Sequence, residues 1–364
     1  MGKQRDWTLS GAGVIVSMNS GATGWPGPGR PSARLSSRKV PALVAAVTAA
    51  VVLIIAAVVI VLVRSRSQAP YTTLQGSGIV NGVTFSPDGK TLAEVGQDHT
   101  AVWNLATGQP TDLADPDGRG TRTAAFSPDG KLLAVTDGNG HVYLWGTATS
   151  HLDATFTGPG NMALAGAVFS PDSEALATPV TGGNGHVYLW NVATHARAAA
   201  LTDPGSQGVT AVASSADGKT LVTADGNGHV YLWNTRTGQV AATLAAPGGN
   251  GADELGLSPD GKKLAAAVGG HVYLWNVATG QAVTLDPDGG GAVTGVAFSP
   301  DGKIVAATAG QAKTYLWNVA THARTDTLAD PGTNGPTAVT FSPQGHTLAT
   351  ADADGNTYLW HYTG

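Results

Sequence analysis

A chain of 364 residues without a single cysteine excludes disulfides, thiolate nucleophiles and cysteine-held zinc. Charged residues make up only 12% while glycine reaches 50, a composition of many turns and short strands rather than long soluble helices. Charge is also divided: residues 1–70 carry eight Lys/Arg against one acid, Asp6, whereas residues 71–364 carry 12 basic and 24 acidic side chains, so the body lacks the clustered cations that a nucleic-acid partner requires.

Residues 1–40 include GWPGPGRPSARLSS, a Pro/Gly/Ser/Arg stretch that predicts a disordered basic tail. Met18 is a candidate start, since residues 1–17 show no organised pattern. Residues 41–63 read PALVAAVTAAVVLIIAAVVIVLV, uncharged throughout. At about 1.5 Å per residue such a run covers the roughly 30 Å hydrocarbon core of a bilayer. A buried core helix is rarely apolar on every face for that length, and a cleaved signal peptide has a shorter apolar run and a small-residue cleavage site. The expectation is one transmembrane helix. Arg30, Arg34, Arg38 and Lys39 precede it and only Arg64 and Arg66 follow; this bias places the N-terminus in the cytoplasm and the body outside the cell membrane. Residues 64–70 are a short linker.

From residue 71 the chain repeats itself. Trp103, Trp145, Trp190, Trp233, Trp275, Trp317 and Trp360 are spaced by 42, 45, 43, 42, 42 and 43 residues. Each unit begins with an apolar strand such as VTFS (83–86), and a Ser-Pro-Asp-Gly turn follows, as at 86–89, 127–130, 258–261 and 299–302. Proline pre-sets the first turn position and glycine tolerates positive φ. A second strand (KLLAVT, 131–136), a polar turn, a third strand (HVYLWN) and a fourth such as VAATL (240–244) complete the unit. A period in the forties with four short strands marks a β-propeller blade.

Period, turn and strand-three tryptophan recurring together resemble the WD-repeat (WD40) β-propeller family over residues 71–364. The resemblance implies an all-β fold, a seven-bladed WD40-type propeller of four-stranded antiparallel sheets around a central channel, here preceded by the transmembrane helix and the disordered tail. It also implies how the ring closes. The chain ends four residues after Trp360, and YTTL at 71–74 matches the fourth-strand stretches, so residues 71–74 are expected to pair with residues 356–360. Closure removes the open sheet edges at which strands aggregate.

The sequence departs from the family pattern at the polar positions. Where the family often has Gly-His between blades, this chain has Asp-Pro at 115–116, 203–204, 286–287 and 330–331. Asn139, Asn184 and Asn227 stand six residues before their tryptophans, where only Asp354 keeps the acid, and Asn104, Asn191, Asn234, Asn276 and Asn318 follow theirs. The expectation is a weakened or absent buried polar set, with apolar packing carrying stability. Such variants look like the WD repeats of membrane-tethered bacterial proteins, some of which carry a Ser/Thr kinase.

Motifs for catalysis are missing: the sequence has no GxSxG elbow, GxxxxGK[ST] loop, HExxH, HRD or DFG. His141, His186, His229 and His271 each precede a tryptophan by four residues. They share a strand face with the following Tyr and Trp, and equivalent positions on adjacent blades are expected on the order of 10 Å apart. A shared metal needs nitrogens at about 2.1 Å, so no metal, cofactor or catalytic group is expected. A rim of histidines that titrates near neutrality is the functional alternative. Residues that break the repeat, Arg119, Arg122, Asn161, Met162, Asp253 and Glu254, are assigned to inter-blade loops and are the candidates for contact with a protein or peptide partner, with plain loop solvation as the ordinary reading. The expected function is therefore a membrane-anchored, non-catalytic binding or scaffolding module; a sensor subunit for a separate kinase and a propeller enzyme are the alternatives.

Overall fold

The computed structural model describes residues 71–362 apart from positions 77, 98–99, 119, 159, 161, 184, 206–207, 248–250, 289–290, 311 and 333. The expected tail (1–40), membrane span (41–63) and linker (64–70) lie outside the described residues. Among the described residues no helix is long and apolar enough to cross a membrane.

Each repeat begins with the same hairpin, and the reason is local. In the first, Ser86 Oγ donates to Asp88 Oδ1 at 2.7 Å, the same oxygen accepts the Lys90 N–H at 3.0 Å, and Gly89 closes the turn at φ 69°. The serine–aspartate bond recurs at Ser127–Asp129, Ser170–Asp172, Ser215–Asp217, Ser258–Asp260 and Ser299–Asp301. The Ser127 hydroxyl is the main influence holding the Asp129 carboxyl down at about 2. After the third strand, Asn104 Oδ1 accepts the N–H groups of Ala106 and Thr107 at 3.0 and 3.1 Å. Asn234, Asn276 and Asn318 cap their turns in the same way. A neutral amide oxygen thus does the backbone work expected of aspartate.

The described strands assemble into seven four-stranded antiparallel sheets. Blades 1 to 6 span residues 80–113, 121–157, 168–202, 209–245, 254–285 and 293–329, each running in sequence order from its first to its fourth strand. Blade 7 takes three strands from residues 336–361 and its fourth from Tyr71–Gln75. That strand runs antiparallel to Asn356–His361 with Tyr71 opposite Trp360 and Gln75 opposite Asn356, as the sequence predicts. Tyr71 also packs against the rings of Tyr358 and Trp360.

Seven apolar clusters hold the ring, one between each pair of neighbouring blades. Strand alternation divides each blade between two of them. In blade 4, Val230 and Leu232 face blade 5, while Tyr231 and Trp233 face blade 3. Fourth strands are mostly exposed, yet each turns one large apolar side chain inward: Leu74, Leu113, Phe156, Leu201, Leu244, Leu285 and Leu328 are buried. Burial of one such side chain contributes about 1.5–3 kcal/mol.

The polar interior is rearranged rather than weak, which corrects the expectation from the departures above. Trp190, Trp233 and Trp360 donate from Nε1 to Thr178, Thr223 and Thr350 at 2.8, 2.8 and 2.9 Å. The second strands of blades 2, 4 and 7 end in Asp137, Asp225 and Asp352, all fully buried. Asp225 accepts the N–H groups of Asn227 and His229 at 2.9 and 2.8 Å, and the Tyr231 hydroxyl at 3.1 Å; the His229 ring lies 3.1 Å away. Asp137 and Asp352 collect the corresponding donors, with Asn356 in place of histidine at Asp352. In blades 2 and 4 the acid stands two residues upstream of its usual place, and blade 7 has an acid at both positions; the next turn supplies the donors.

Candidate binding site at the channel mouth

Counting back five residues from the turn serine of each blade gives Asn81, Arg122, Ala165, Thr210, Asp253, Thr294 and Thr337. In blades 1, 2, 4, 6 and 7 the register of the first strand shifts at this residue. A bulge of this kind leaves one residue unpaired and re-aims its side chain. The seven positions form a ring, and six of the seven side chains are polar.

Part of the ring stitches blade to blade. Asn81 Nδ2 donates to the carbonyl of Thr121 at 2.8 Å, Thr294 Oγ1 to Pro336 at 2.8 Å, and Thr337 Oγ1 to Val80 at 2.7 Å. Blades 2 and 5 instead place charges there. Arg122, Asp253 and Glu254 line one depression of about 550 Å³ together with Asn81, Thr210 and Thr294. A second space of about 140 Å³ shares Asn81, Glu254 and Thr294 with the first and is also lined by Val83 and Val339.

Electrostatics inside the depression are set by confinement. Glu254 remains accessible to water, yet it stands within the channel with protein around it. Desolvation, then the charge of Asp253, pushes its carboxyl up to about 7. Asp253 is raised as well, by desolvation. One guanidinium and two acids that resist ionising together line the mouth, which is therefore suited to hold a polar or positively charged group.

The sequence-selected residues thus divide. Arg122 and Glu254 lie on the innermost strands and not on inter-blade loops, and Asp253 directly precedes such a strand. Residues that break the repeat are expected in loops; here the channel gives the innermost strand a wet face, so Arg122 and Glu254 fall on the strand itself. Met162 is in a loop and 40% exposed, but its backbone is committed: a side chain on Gly140 would meet the Met162 carbonyl at 2.5 Å. Arg119 and Asn161 lie outside the described residues. Asn81, Thr210, Thr294 and Thr337 escaped sequence reading, although the fixed count from the turn serine would have found them. The four histidines do not gather. His186 contacts Thr202, His229 contacts Asp225, His271 contacts Asp286, and His141 contacts both Asp117 and Asp137.

Five stretches match the WD40 family (WD domain, G-beta repeat), at residues 68–104, 117–146, 199–234, 282–318 and 325–361. No curated protein matches the chain. The two blades without a match of their own are the most irregular: the first strand of blade 3 is only Val168–Phe169, and that of blade 5 only Glu254–Leu257. With matching repeats on both sides of each irregular blade and seven sheets closed into a ring, the chain belongs to the WD40-repeat β-propeller family.

Proposed function

We propose that this propeller is a non-catalytic protein-binding or scaffolding module whose partner docks over the channel mouth. Propellers of WD40 repeats are typically interaction modules and generally bind proteins. The observation that carries the reading here is the ring: three charged residues that break the repeat, picked out one by one in the sequence, converge with Asn81, Thr210 and Thr294 on one depression. Rigid sheets beneath the ring hold these groups in place at little entropic cost on binding.

The apolar run at 41–63 and the basic residues before it support a single membrane anchor with a cytoplasmic N-terminus and an extracytoplasmic propeller. A separate kinase as the partner is supported only by the likeness of the repeats to those of membrane-tethered bacterial proteins. A kinase recovered with the full chain from cross-linked membranes would favour that form of the reading.

The test uses the full chain in its membrane. Partner capture by cross-linking is expected to fall at least about ten-fold in the double variant Arg122→Ala, Glu254→Gln, with the melting temperature unchanged. Undiminished capture would move the interface away from the channel. For topology, protease added to intact cells is expected to digest the propeller; a protected propeller would reverse the orientation.

A further inference from the structure

Three corners of the ring share one construction. An Asp-Pro turn leaving one blade meets the buried aspartate that ends the second strand of the next: Asp203-Pro204 meets Asp225, Asp330-Pro331 meets Asp352, and Asp115-Pro116 meets Asp137. In the first two the residue after proline is Gly205 or Gly332, and a side chain there would collide with the Oδ2 atom of Asp225 or Asp352. In the third the residue is Asp117. Its Oδ2 reaches 2.9 Å from His141 Nδ1, which lies 2.8 Å from Asp137 Oδ2.

Two carboxylates therefore converge on one imidazole nitrogen, and Asp137 is fully buried. A ring nitrogen carries either one proton or one lone pair, so a neutral His141 has at most one Nδ1–H to share between them. The three ligand atoms all lie within 4.8 Å of one another. Separations of 2.8 and 2.9 Å are close to those of neighbouring vertices around a small metal ion, where ligand atoms about 2.1 Å from the centre sit roughly 3.0–3.4 Å apart. We infer that Asp117, Asp137 and His141 form a binding site for one divalent cation of the zinc class.

The surroundings fit that role. Two carboxylates balance a dication while the imidazole stays neutral. An imidazole ligand selects for zinc-like ions over magnesium or calcium, which prefer all-oxygen sites. Asp137 is already oriented by its outer partners: its Oδ1 accepts the N–H groups of Asn139 and His141, both at 2.8 Å, and the Tyr143 hydroxyl lies 3.2 Å from Oδ2. Such outer bonds fix a ligand's direction and sharpen affinity. Side-chain exposures of 40% for Asp117 and 20% for His141 leave a solvent side for entry and for water as the remaining ligands. The residue after Asp137, Gly138, lines the channel-mouth depression, so the ion would lie beside the mouth, although the site does not depend on the binding function proposed above.

The sister corners supply the controls. The full chain, stripped with chelator, is titrated with Zn2+ at neutral pH by equilibrium dialysis and calorimetry. One ion per chain is expected. Asp117→Gly, which copies Gly205 and Gly332, and His141→Asn, which copies Asn356, are each expected to weaken uptake at least about ten-fold. His229→Asn at the sister corner is expected to change nothing. Metal-free melts establish that the variants fold; if Asp117→Gly melts early, Asp117→Asn, which keeps the side-chain volume, is read instead. No saturable uptake by the parent chain would overturn the site. Wild-type affinity in the Asp117 and His141 variants, or equal loss in His229→Asn, would overturn it too.

Discussion

The seams entering blades 2, 4 and 7 and those entering blades 3, 5 and 6 have the same backbone plan and opposite chemistry. The second strand ends in Asp137, Asp225 and Asp352 in the first group; in the second it ends in Val268 and Ala309 in blades 5 and 6, and in blade 3 Val180 directly follows the strand end at Pro179. All six of these side chains are buried to 3% exposure or less. A buried carboxylate costs several kcal/mol in lost hydration, and that cost is offset only where donors surround it. The first group meets the condition locally: two turn N–H groups, a histidine or asparagine side chain and a tyrosine hydroxyl all come from within six residues of the aspartate. The second group places an apolar side chain there and needs no donors to it; in the seam before blade 6 the Tyr315 hydroxyl donates instead to the Asp288 carbonyl at 3.2 Å. The seam between blades 7 and 1 is a third case. There Gly96 ends the strand and Glu94 lies two residues earlier. Its Oε2 accepts Trp103 Nε1 at 3.1 Å and, across the seam, the Thr357 hydroxyl at 3.0 Å. Its Oε1 has no partner among the described residues.

Substitutions can break this comparison. Asp225→Ala is expected to cost about 3–5 kcal/mol, because four donors lose one acceptor in a dry seam. At the equivalent place, Val268→Ala removes only apolar contact and is expected to cost about 1–3 kcal/mol. Urea unfolding of both reads the difference, and equal losses would mean that the carboxylate is a filler rather than a hub.

Glu94 tests the half-satisfied case. Burial, assisted by the charge of Asp352, pushes its carboxyl from 4.5 up to about 7 against the pull of Thr357 and Trp103. The folded chain therefore binds more protons than the unfolded chain between those values. The contribution of Glu94 is complete below about pH 4.5 and is lost as pH rises through about 7. Glu94→Gln is expected to flatten that slope and to add on the order of 2–3 kcal/mol above pH 7. A slope unchanged in the variant would assign it to other groups.

Gly205→Ala and Gly332→Ala are expected to cost about 1–3 kcal/mol by overpacking against the buried aspartates. The corresponding corner before blade 6 already holds a side chain, Asp288, where the facing strand end is Ala309. The smallest effect on stability belongs to the channel mouth: Arg122→Ala is expected to stay within about 0.5 kcal/mol in unfolding. Binding there should be pH-dependent nonetheless. Glu254 gains its proton as pH falls through about 7, so capture of a positively charged partner segment should weaken toward pH 6.

The architecture was legible because repetition makes period, turn and marker visible at once. The Ser-Pro-Asp-Gly turn fixes one hairpin per unit, the tryptophan counts units, and YTTL betrays the missing fourth strand. The polar interior was less legible. Reading the family's positions found asparagine and proline and inferred loss, whereas Asp137, Asp225 and Asp352 had taken over the task from two residues away. Only the fold shows that Asp225 Oδ2 and the Tyr231 hydroxyl, six residues apart, point into the same seam. The channel mouth was half legible: Arg122, Asp253 and Glu254 stand out by breaking the pattern, but a threonine such as Thr294 looks like any other strand residue until the bulge turns it inward.

The strand that completes blade 7 is made first and used last. Some 280 residues separate Gln75 from its partner Asn356, and at about 5–20 residues per second of synthesis that is a wait of roughly 15–60 seconds. Until the final strand emerges, residues 71–75 have no edge to join and blade 1 has no seventh neighbour. The ring therefore cannot lock until residues 356–361 have been made, and its slowest contact is also the one that makes it a ring.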